Sequence, residues 1–341
     1  MNQMHNQDIR INKIHEVESI TTMTPEQPDT LFLCASSFED RCRIAPSLLP
    51  TSSYRSYYSA MFNYYQVVKQ NRHFFNRTKI YDALSLVTIN KPVRPIDCDR
   101  LNPIDGVKKF ISFLKKNNIK SKKARITIDI STFTKQYILN LLCGIEEFFK
   151  MYSIRILYTE PHHYGRGKFQ RLSYGIEDII TVPRFEGKQI PGGKTALVVF
   201  LGYESHRTLA AIEKCEPDLI IAVIGNPPYY PGWEKYSLET HSFLLSMPDV
   251  KKFEMSARDP DEVREGLTKV WDEFNKDYPN MYISPIGTKL QTIGIYEFVR
   301  CYPTVRIVYP IPKGYLESYY TTGYGKIWEY FLPSRKSVEK K

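Results

Sequence analysis

Short apolar runs recur along the chain and alternate with longer segments in which apolar residues follow a helical period. Strands that are separated by helices form mostly parallel sheets, which the helices cover on both faces. The pattern therefore predicts an α/β protein. Strands are predicted at 31–35, 57–63, 85–89, 125–130 and 154–158, then at 196–201, 219–224, 250–254, 281–284 and 305–309. Helices are predicted at 42–49, 66–76 and 134–149, and within the basic segment 108–125.

The chain contains an internal repeat of two motifs in the same order. The matching segments are 30–50 with 196–217, and 126–164 with 281–315. In the second match, Thr134-Lys135 aligns with Thr288-Lys289. An internal repeat on this scale predicts two similar structural units. We therefore expect two tandem Rossmann-like halves with mostly parallel sheets, related by a pseudo-two-fold axis. The predicted divisions are an N-terminal extension at 1–28, a first half at 29–190, a second half at 191–333 and a basic tail at 334–341.

The repeated motifs lie in loops that follow predicted strands. The loops ASSFEDR and LGYESHR follow the first strand of each half, and DISTFTK and SPIGTK follow a later strand. In parallel α/β sheets the loops after the carboxyl ends of the strands form the crevice in which ligands bind. A pseudo-two-fold arrangement would bring all four loops around one shared pocket.

A Thr-Lys pair begins a predicted helix in each half. Lysine at this end of a helix is opposed by the helix dipole, and a bound anion such as phosphate would relieve that opposition. Nearby hydroxyl groups would add hydrogen bonds to the anion. The alternative is that the threonines cap the helices and the lysines face water. The candidate residues from this argument are Ser131, Thr132, Thr134, Lys135, Ser284, Gly287, Thr288 and Lys289.

Two arginines and several aromatic residues stand in or next to the same loops. Arg41 and Arg207 are candidates for clamping phosphate in a bidentate manner, or for pairing with Glu39 and Glu204. The aromatic residues are candidates for stacking on bases, with core packing as the alternative. They are Phe38, Tyr164, Tyr203 and Tyr315.

Composition favours an acidic partner. The chain has 341 residues, a formal net charge of +10 and a pI of about 9.1, values that suit a nucleotide or a nucleic acid. The basic segment 108–125 reads either as an amphipathic helix with solvated lysines or as a nucleic-acid surface. The chain has no apolar leader and no apolar run long enough to span a membrane. We therefore expect a cytoplasmic protein that does not bind membranes.

The cysteines give no sign of a metal site. They lie far apart, without a C-x-x-C pair or a histidine at ligand spacing, as is typical of buried thiols in a reducing compartment. We predict neither a metal nor a cofactor. The six cysteines are Cys34, Cys42, Cys98, Cys143, Cys215 and Cys301.

The stretch IAVIGNPPYYPGW at 221–233 contains Asn-Pro-Pro-Tyr after an apolar run, which is similar to the signature of amino-DNA methyltransferases. Such an enzyme needs a glycine-rich cofactor loop after its first strand, and VVFLGYESHR contains no G-x-G. The interpretation that we favour is a rigid rim of the pocket, with Tyr229, Tyr230 and Trp233 as its walls.

The loop SPIGTKLQTIGIYEF, with its partner DISTFTKQYILNLL, resembles the CRISPR-associated Rossmann-like (CARF) domains and the related SAVED domains. In those families a Gly-Thr-Lys-type loop contacts a cyclic oligonucleotide. The sequence departs from this pattern at Phe133, which replaces the glycine in the first half. By this resemblance Thr134, Lys135, Gly287, Thr288 and Lys289 contact the ligand, and Ser36, Ser37, Gly202 and Tyr203 line the opposite wall.

The leading hypothesis is a cytoplasmic sensor that binds a phosphate-rich nucleotide signal of the cyclic oligonucleotide type between its halves. By the resemblance it acts in antiviral defence, with an effector supplied by a partner chain. The alternatives are a ring-nuclease-like phosphodiesterase that acts on the same nucleotide, a nucleic-acid-binding subunit of a defence complex, and, with less support, the amino-DNA methyltransferase. Whether the protein is an enzyme stays open at this stage.

Overall fold

The computed structural model describes residues 14–25, 27–64, 70–119, 123–164, 171–318 and 320–333. The predicted basic tail, the start of the N-terminal extension and the start of the helix predicted at 66–76 lie outside the described residues. The described strands are β1 His15–Glu16, β2 Asp29–Ser36, β3 Ser56–Tyr64, β4 Arg94–Cys98, β5 Ala124–Asp129, β6 Tyr152–Thr159, β7 His163–Tyr164, β8 Ser173–Thr181, β9 Thr195–Phe200, β10 Leu219–Gly225, β11 Val250–Met255, β12 Asn280–Ser284, β13 Arg306–Tyr315, β14 Thr321–Thr322 and β15 Ile327–Leu332. The described α-helices are α1 Ile44–Ser47, α2 Gln70–Val87, α3 Pro103–Lys116, α4 Lys135–Phe148, α5 Ser205–Cys215, α6 Trp233–Thr240, α7 Ser242–Leu245, α8 Pro260–Phe274 and α9 Lys289–Cys301.

The two large sheets share one strand order. The first contains β4-β3-β2-β5-β6 and the second contains β11-β10-β9-β12-β13, and every neighbouring pair within these sets is parallel. Strands at the same place in the two sheets also hold the same place in the sequence repeat. The prediction of two tandem Rossmann-like halves with mostly parallel sheets is confirmed.

An antiparallel strand extends each parallel set, and each of these strands comes from the opposite side of the predicted boundary between the halves. β8 precedes residue 191 but pairs with β13 in the second sheet. β15 comes from the end of the second half but pairs with β6 in the first sheet, and β1 then pairs with β15. The chain therefore ties the two sheets together through exchanged edge strands, while the predicted domain limits stay a prediction.

The hydrophobic core is built around strands that are apolar on both faces. All eight residues of β2, DTLFLCAS, are buried, as is typical of a parallel strand with helices on both sides. One cluster of buried side chains contains residues from both sheets and from α4 and α9. A buried ion pair also joins these two helices, since Arg300 Nη2 lies 3.0 Å from Glu146 Oε1. The two halves thus share a continuous interior.

The strand predicted at 85–89 is wrong. Most of this segment lies in the last turns of α2, where Leu84 and Val87 pack into a buried cluster. The strand of this region is β4, whose sequence RPIDC is polar and has only two buried residues. β4 lies at the edge of its sheet, and edge strands do not require the continuous apolar run that the prediction relied on.

The basic segment forms the amphipathic helix α3, with Val107, Phe110 and Leu114 buried and the side chain of Asn102 capping its start. It ends at Lys116, earlier than the charge pattern predicted. Each helix among the described residues is too short or too polar to cross a membrane.

We expect Arg155→Met to destabilise the protein because Arg155 attaches β15 to the first sheet. Its guanidinium lies 3.2 Å from Asp29 Oδ2 and 3.2 Å from Glu329 Oε1, and its side chain is 3% exposed. The substitution leaves the carboxylate of Asp29 buried and unpaired, which costs about 3–5 kcal/mol of unfolding free energy. Urea unfolding measures this loss. Arg184→Met, which breaks the more exposed pair with Glu147, is the control and should cost about 0–1 kcal/mol. Equal losses in the two variants would contradict this role for Arg155.

Candidate functional site

A cavity of about 300 Å³ lies between the two halves at the carboxyl ends of their strands. The loops after β2 and β5 form one part of its wall, and the loops after β9 and β12 form another. The four repeated loops therefore surround one space. The predicted site residues that line it are Ser37, Arg41, Thr132, Thr134, Lys135, Gly202, Tyr203, Arg207, Gly287, Thr288 and Lys289.

Three predicted site residues, Ser36, Ser131 and Ser284, are fully buried and do not line the cavity. The hydroxyl of Ser36 donates to Asn63 Oδ1 at 2.9 Å. The hydroxyl of Ser131 donates to Asp129 and accepts a hydrogen bond from a backbone N–H. Ser36 and Ser284 are the last residues of β2 and β12, so they still belong to the sheets and not to the loops above them.

The two threonines cap their helices, as the simpler interpretation predicted. Thr134 accepts a hydrogen bond from Tyr137 N at 3.4 Å. Thr288 accepts from Gln291 N at 3.0 Å, and the side chain of Gln291 accepts from Thr288 N at 2.8 Å, which completes a capping box. A Cβ at Gly287 would meet the side-chain oxygen of Gln291, so a larger residue here would displace Gln291 from the capping box. Capping thus fixes where each helix begins.

The two lysines do not face open water, contrary to the simpler interpretation. Both are partly buried, and each reaches across to the loop of the other half. Lys135 Nζ donates to the carbonyl oxygen of Ile286 at 2.8 Å. Lys289 Nζ donates to the carbonyl oxygen of Ser131. The repeat therefore produces a reciprocal pair of ammonium groups inside one cavity.

The two arginines occupy equivalent places in the halves. Arg41 donates to the carbonyl oxygen of Thr159 at 3.0 Å, and Arg207 donates to the carbonyl oxygen of Pro310 at 2.7 Å. Thr159 and Pro310 are aligned in the repeat. Four cationic side chains of the site therefore follow a two-fold pattern, and Arg100 and Lys313 line the cavity outside that pattern.

The carboxylates of Glu39 and Glu204 do not share the two-fold arrangement of the cations. Glu39 binds Arg41 through both of its oxygens, at 2.9 and 3.2 Å, so the salt-bridge alternative is correct for this arginine. Glu204 accepts instead from the backbone N–H groups of Leu172 and Ser173, both at 2.9 Å. The predicted Glu204 pair with the second arginine therefore does not form.

Burial lowers the pKa values of both Lys135 and Lys289. Burial lowers the pKa of Lys135 well below its ordinary value, and the nearby Arg207 and Lys289 lower it further. Burial and then Arg41 lower the pKa of Lys289 to about 7, although Glu39 and Asp129 oppose this shift. An anion in the cavity would stabilise the charged form of both lysines.

Aromatic rings form much of the remaining wall. Tyr203 stacks on Tyr236 with ring centroids 4.5 Å apart, and Tyr164 lies 5.2 Å from Trp233. The sequence reasoning missed Tyr236, although it stands three residues after Trp233 and thus on the same face of α6. The other aromatic residues of the wall are Phe38, Tyr64, Phe133, Tyr174, Tyr229, Tyr309, Tyr315 and Tyr320.

A carboxylate that the sequence reasoning missed is Asp129, the last residue of β5. It is 2% exposed, and burial raises its pKa to about 6. An aspartate at the carboxyl end of an otherwise apolar strand is a signal that the sequence carries. The described residues contain no group of three His, Cys, Asp or Glu side chains arranged to hold a metal ion.

The Asn-Pro-Pro-Tyr segment contributes its aromatic end to the cavity. Tyr229 lines the cavity and stacks on Tyr158 with centroids 5.7 Å apart. Trp233 also lines it, whereas Tyr230 is 51% exposed and lies outside. The side chain of Asn226 donates to Glu254 at 2.8 Å in an exposed position. This geometry fits a rim of the pocket better than a methyltransferase centre.

Comparison with known proteins gives a weak likeness to a solved structure. No known protein family and no curated protein matches the chain. Among solved structures, part of the chain is similar to Can2 from Sulfobacillus thermosulfidooxidans, which was solved in complex with cyclic tetra-adenylate. The identity is 14%, the TM-score is 0.27, and the match covers 34% of this chain and 31% of Can2. The match thus spans about a third of each chain and does not bear on what this cavity binds.

We expect the stability of the ligand-free protein to rise with pH from about 7 to about 10.5 because of Lys289. Its pKa is about 7 in the folded protein against an ordinary value of 10.5. In this interval the unfolded chain therefore binds a proton that the folded chain does not. Lys289→Met should lower the slope of unfolding free energy against pH by up to about 1.4 kcal/mol per unit. Lys188→Met, at an exposed lysine, is the control. A slope that Lys289→Met leaves unchanged would contradict the perturbed lysine.

Proposed function

We propose that this protein is a sensor that binds a phosphate-rich nucleotide signal of the cyclic oligonucleotide type in the cavity between its two halves. Its role would be in antiviral defence, with the output supplied by a partner effector. The observation that carries the proposal is the reciprocal pair of lysines, Lys135 and Lys289, each of which begins a helix and crosses to the opposite half.

The electrostatics of the cavity support an anionic ligand. Three lysines and three arginines line it, and burial together with neighbouring cations opposes protonation of Lys135 and Lys289. Phosphate oxygens accept charge-assisted hydrogen bonds from such groups, and these bonds are stronger than neutral ones. The positive ends of α4 and α9 add to the attraction.

The aromatic wall supports a ligand that carries bases. Stacking on tyrosine or tryptophan stabilises a base by about 1–3 kcal/mol and tolerates different sequences. The cavity presents Tyr164, Tyr203, Trp233 and Tyr236 for this purpose. A cavity of about 300 Å³ is at the lower end of the range for small-molecule sites. A large cyclic oligonucleotide would therefore require the rim, which includes α6, to move outward.

A phosphodiesterase is the second candidate function, and the pKa of Lys289 favours it. A group with a pKa of about 7 is suited to proton transfer at neutral pH and could protonate a leaving oxygen. Product formation from a bound cyclic nucleotide in the presence of a chelator would support this candidate. Binding without turnover supports the sensor.

We expect nucleotide binding to weaken by about 10- to 100-fold in Lys135→Ala, in Lys289→Ala or in both, because a lysine that contacts phosphate supplies a charge-assisted hydrogen bond of about 1.5–3 kcal/mol. Calorimetric titration with a panel of cyclic and linear oligonucleotides provides the measurement, and Lys188→Ala is the control. Unchanged affinity in both cavity variants would contradict the proposal. The same would follow if the wild type bound no member of the panel at low salt. Binding of long nucleic acid alone, with a steep salt dependence, would indicate an interaction subunit instead.

A further inference from the structure

The four cations of the repeated loops are arranged with two-fold symmetry in the cavity, but the carboxylates are not. We define the first pole as Arg41 with Lys289, and the second pole as Arg207 with Lys135. The members of each pole come from different halves, because each lysine reaches across to the opposite loop. Any difference between the poles therefore decides how an anion is oriented in the cavity.

Two carboxylates offset the charge of the first pole. Glu39 is 5% exposed and holds the guanidinium of Arg41 through both oxygens. Asp129 accepts hydrogen bonds from the backbone N–H and the hydroxyl of Ser131, whose carbonyl oxygen receives Lys289. Asp129 and Glu39 both act electrostatically on Lys289. Two cations thus face two potential counter-charges at this pole.

The second pole lacks both counterparts. Ile283 stands where the repeat places Asp129 in the first half, and Glu204 is held by the backbone at Leu172 and Ser173. Within the part of the chain that the structure describes, neither Arg207 nor Lys135 forms an ion pair with a carboxylate.

Arg207 is built into this pole and is not a surface side chain. It is 8% exposed, lines the cavity, and uses Nε and Nη2 to donate to one carbonyl oxygen, that of Pro310. Tyr309 also contacts the guanidinium, with its ring centroid 5.1 Å from Cζ, but a neutral tyrosine supplies no counter-charge. A buried guanidinium without a counter-charge is costly unless an anion completes its environment.

We propose that the second pole is the phosphate-binding subsite of the cavity and that the first pole is not. This inference rests on the proposed function. A nucleotide then binds in one orientation, with a phosphate group on Arg207 and Lys135 and its uncharged parts toward the first pole. There the stacked rings of Tyr158 and Tyr229 adjoin a pole whose charges are already balanced. The phosphate is either a diester of a cyclic oligonucleotide or the terminal phosphate of a linear one.

Inorganic pyrophosphate tests the subsite without requiring the natural ligand. Calorimetric titration of the full chain should give one pyrophosphate per wild-type molecule. Arg207→Gln and Lys135→Gln should each weaken this binding by about 10-fold or more, since each removes a charge-assisted contact. Lys289→Gln should change it by less than about 3-fold. Asp129→Asn, which removes a carboxylate from the first pole and keeps its shape, should allow a second pyrophosphate to bind.

Equal weakening in all three glutamine variants would overturn the asymmetry, and so would a wild type that binds no pyrophosphate. Should Arg207→Gln fail to fold, as judged by its unfolding transition, Lys135→Gln against Lys289→Gln gives the same comparison. Pyrophosphate binding at the second pole without any nucleotide binding would refute the sensor but support the subsite. Nucleotide binding that Lys135→Gln and Lys289→Gln weaken equally would support the sensor and overturn the subsite.

Cyclic and 5′-phosphorylated linear oligonucleotides of equal length then distinguish the two sources of the phosphate. Selective loss of binding in Lys135→Gln supports the subsite with either ligand.

Discussion

The contact between the two halves at the starts of α4 and α9 determines the character of the cavity. These helices share a buried cluster and an internal ion pair, so their positive ends are held close to the same space. A lysine at the first position of each helix has a stem long enough to reach the opposite loop. Because each ammonium group is anchored on a carbonyl oxygen of the other half, the charge of the site depends on how the halves are assembled.

The exchanged edge strands keep that assembly in place. β8 and β15 each complete the sheet of the other half, so separating the halves would break ladder hydrogen bonds as well as apolar packing. A rigid frame of this kind can hold side chains in a conformation that is unfavourable on its own. The lysines of the cavity are such a case, since desolvation and the repulsion of neighbouring cations oppose their charged form.

The parts of the fold that the sequence predicts are those governed by local pattern. Continuous apolar runs located most of the parallel strands, and the repeat located the four loops of the cavity. The pattern failed at β4, a polar edge strand, and at 85–89, where the apolar face of α2 has the composition of a strand. Nothing local distinguishes β8 and β15 as strands that belong to the opposite sheet, because that choice depends on tertiary packing.

The candidate site residues show the same division between features that the local sequence predicts and features that depend on tertiary packing. Residue type and position in the repeat located Lys135, Lys289, Arg41 and Arg207, all of which line the cavity. They did not predict that Glu204 is held by a distant backbone segment, since that contact depends on where residues 172–173 lie in space. Ser36 lies off the cavity for a simpler reason, because β2 continues one residue beyond the predicted strand and its side chain stays in the sheet.

The geometry also bears on whether bound nucleotide is hydrolysed. Among the described residues that line the cavity there is no histidine, so the usual proton carrier at neutral pH is missing from the wall. Asp129 has a raised pKa, but its carboxylate lies behind the cavity and accepts hydrogen bonds from Ser131. Lys289 could supply a proton, and once it gave the proton away it would no longer stabilise negative charge on the phosphate oxygens. Cleavage at this site would then rely on the cations that stay charged, Arg41 and Arg207, to stabilise that negative charge.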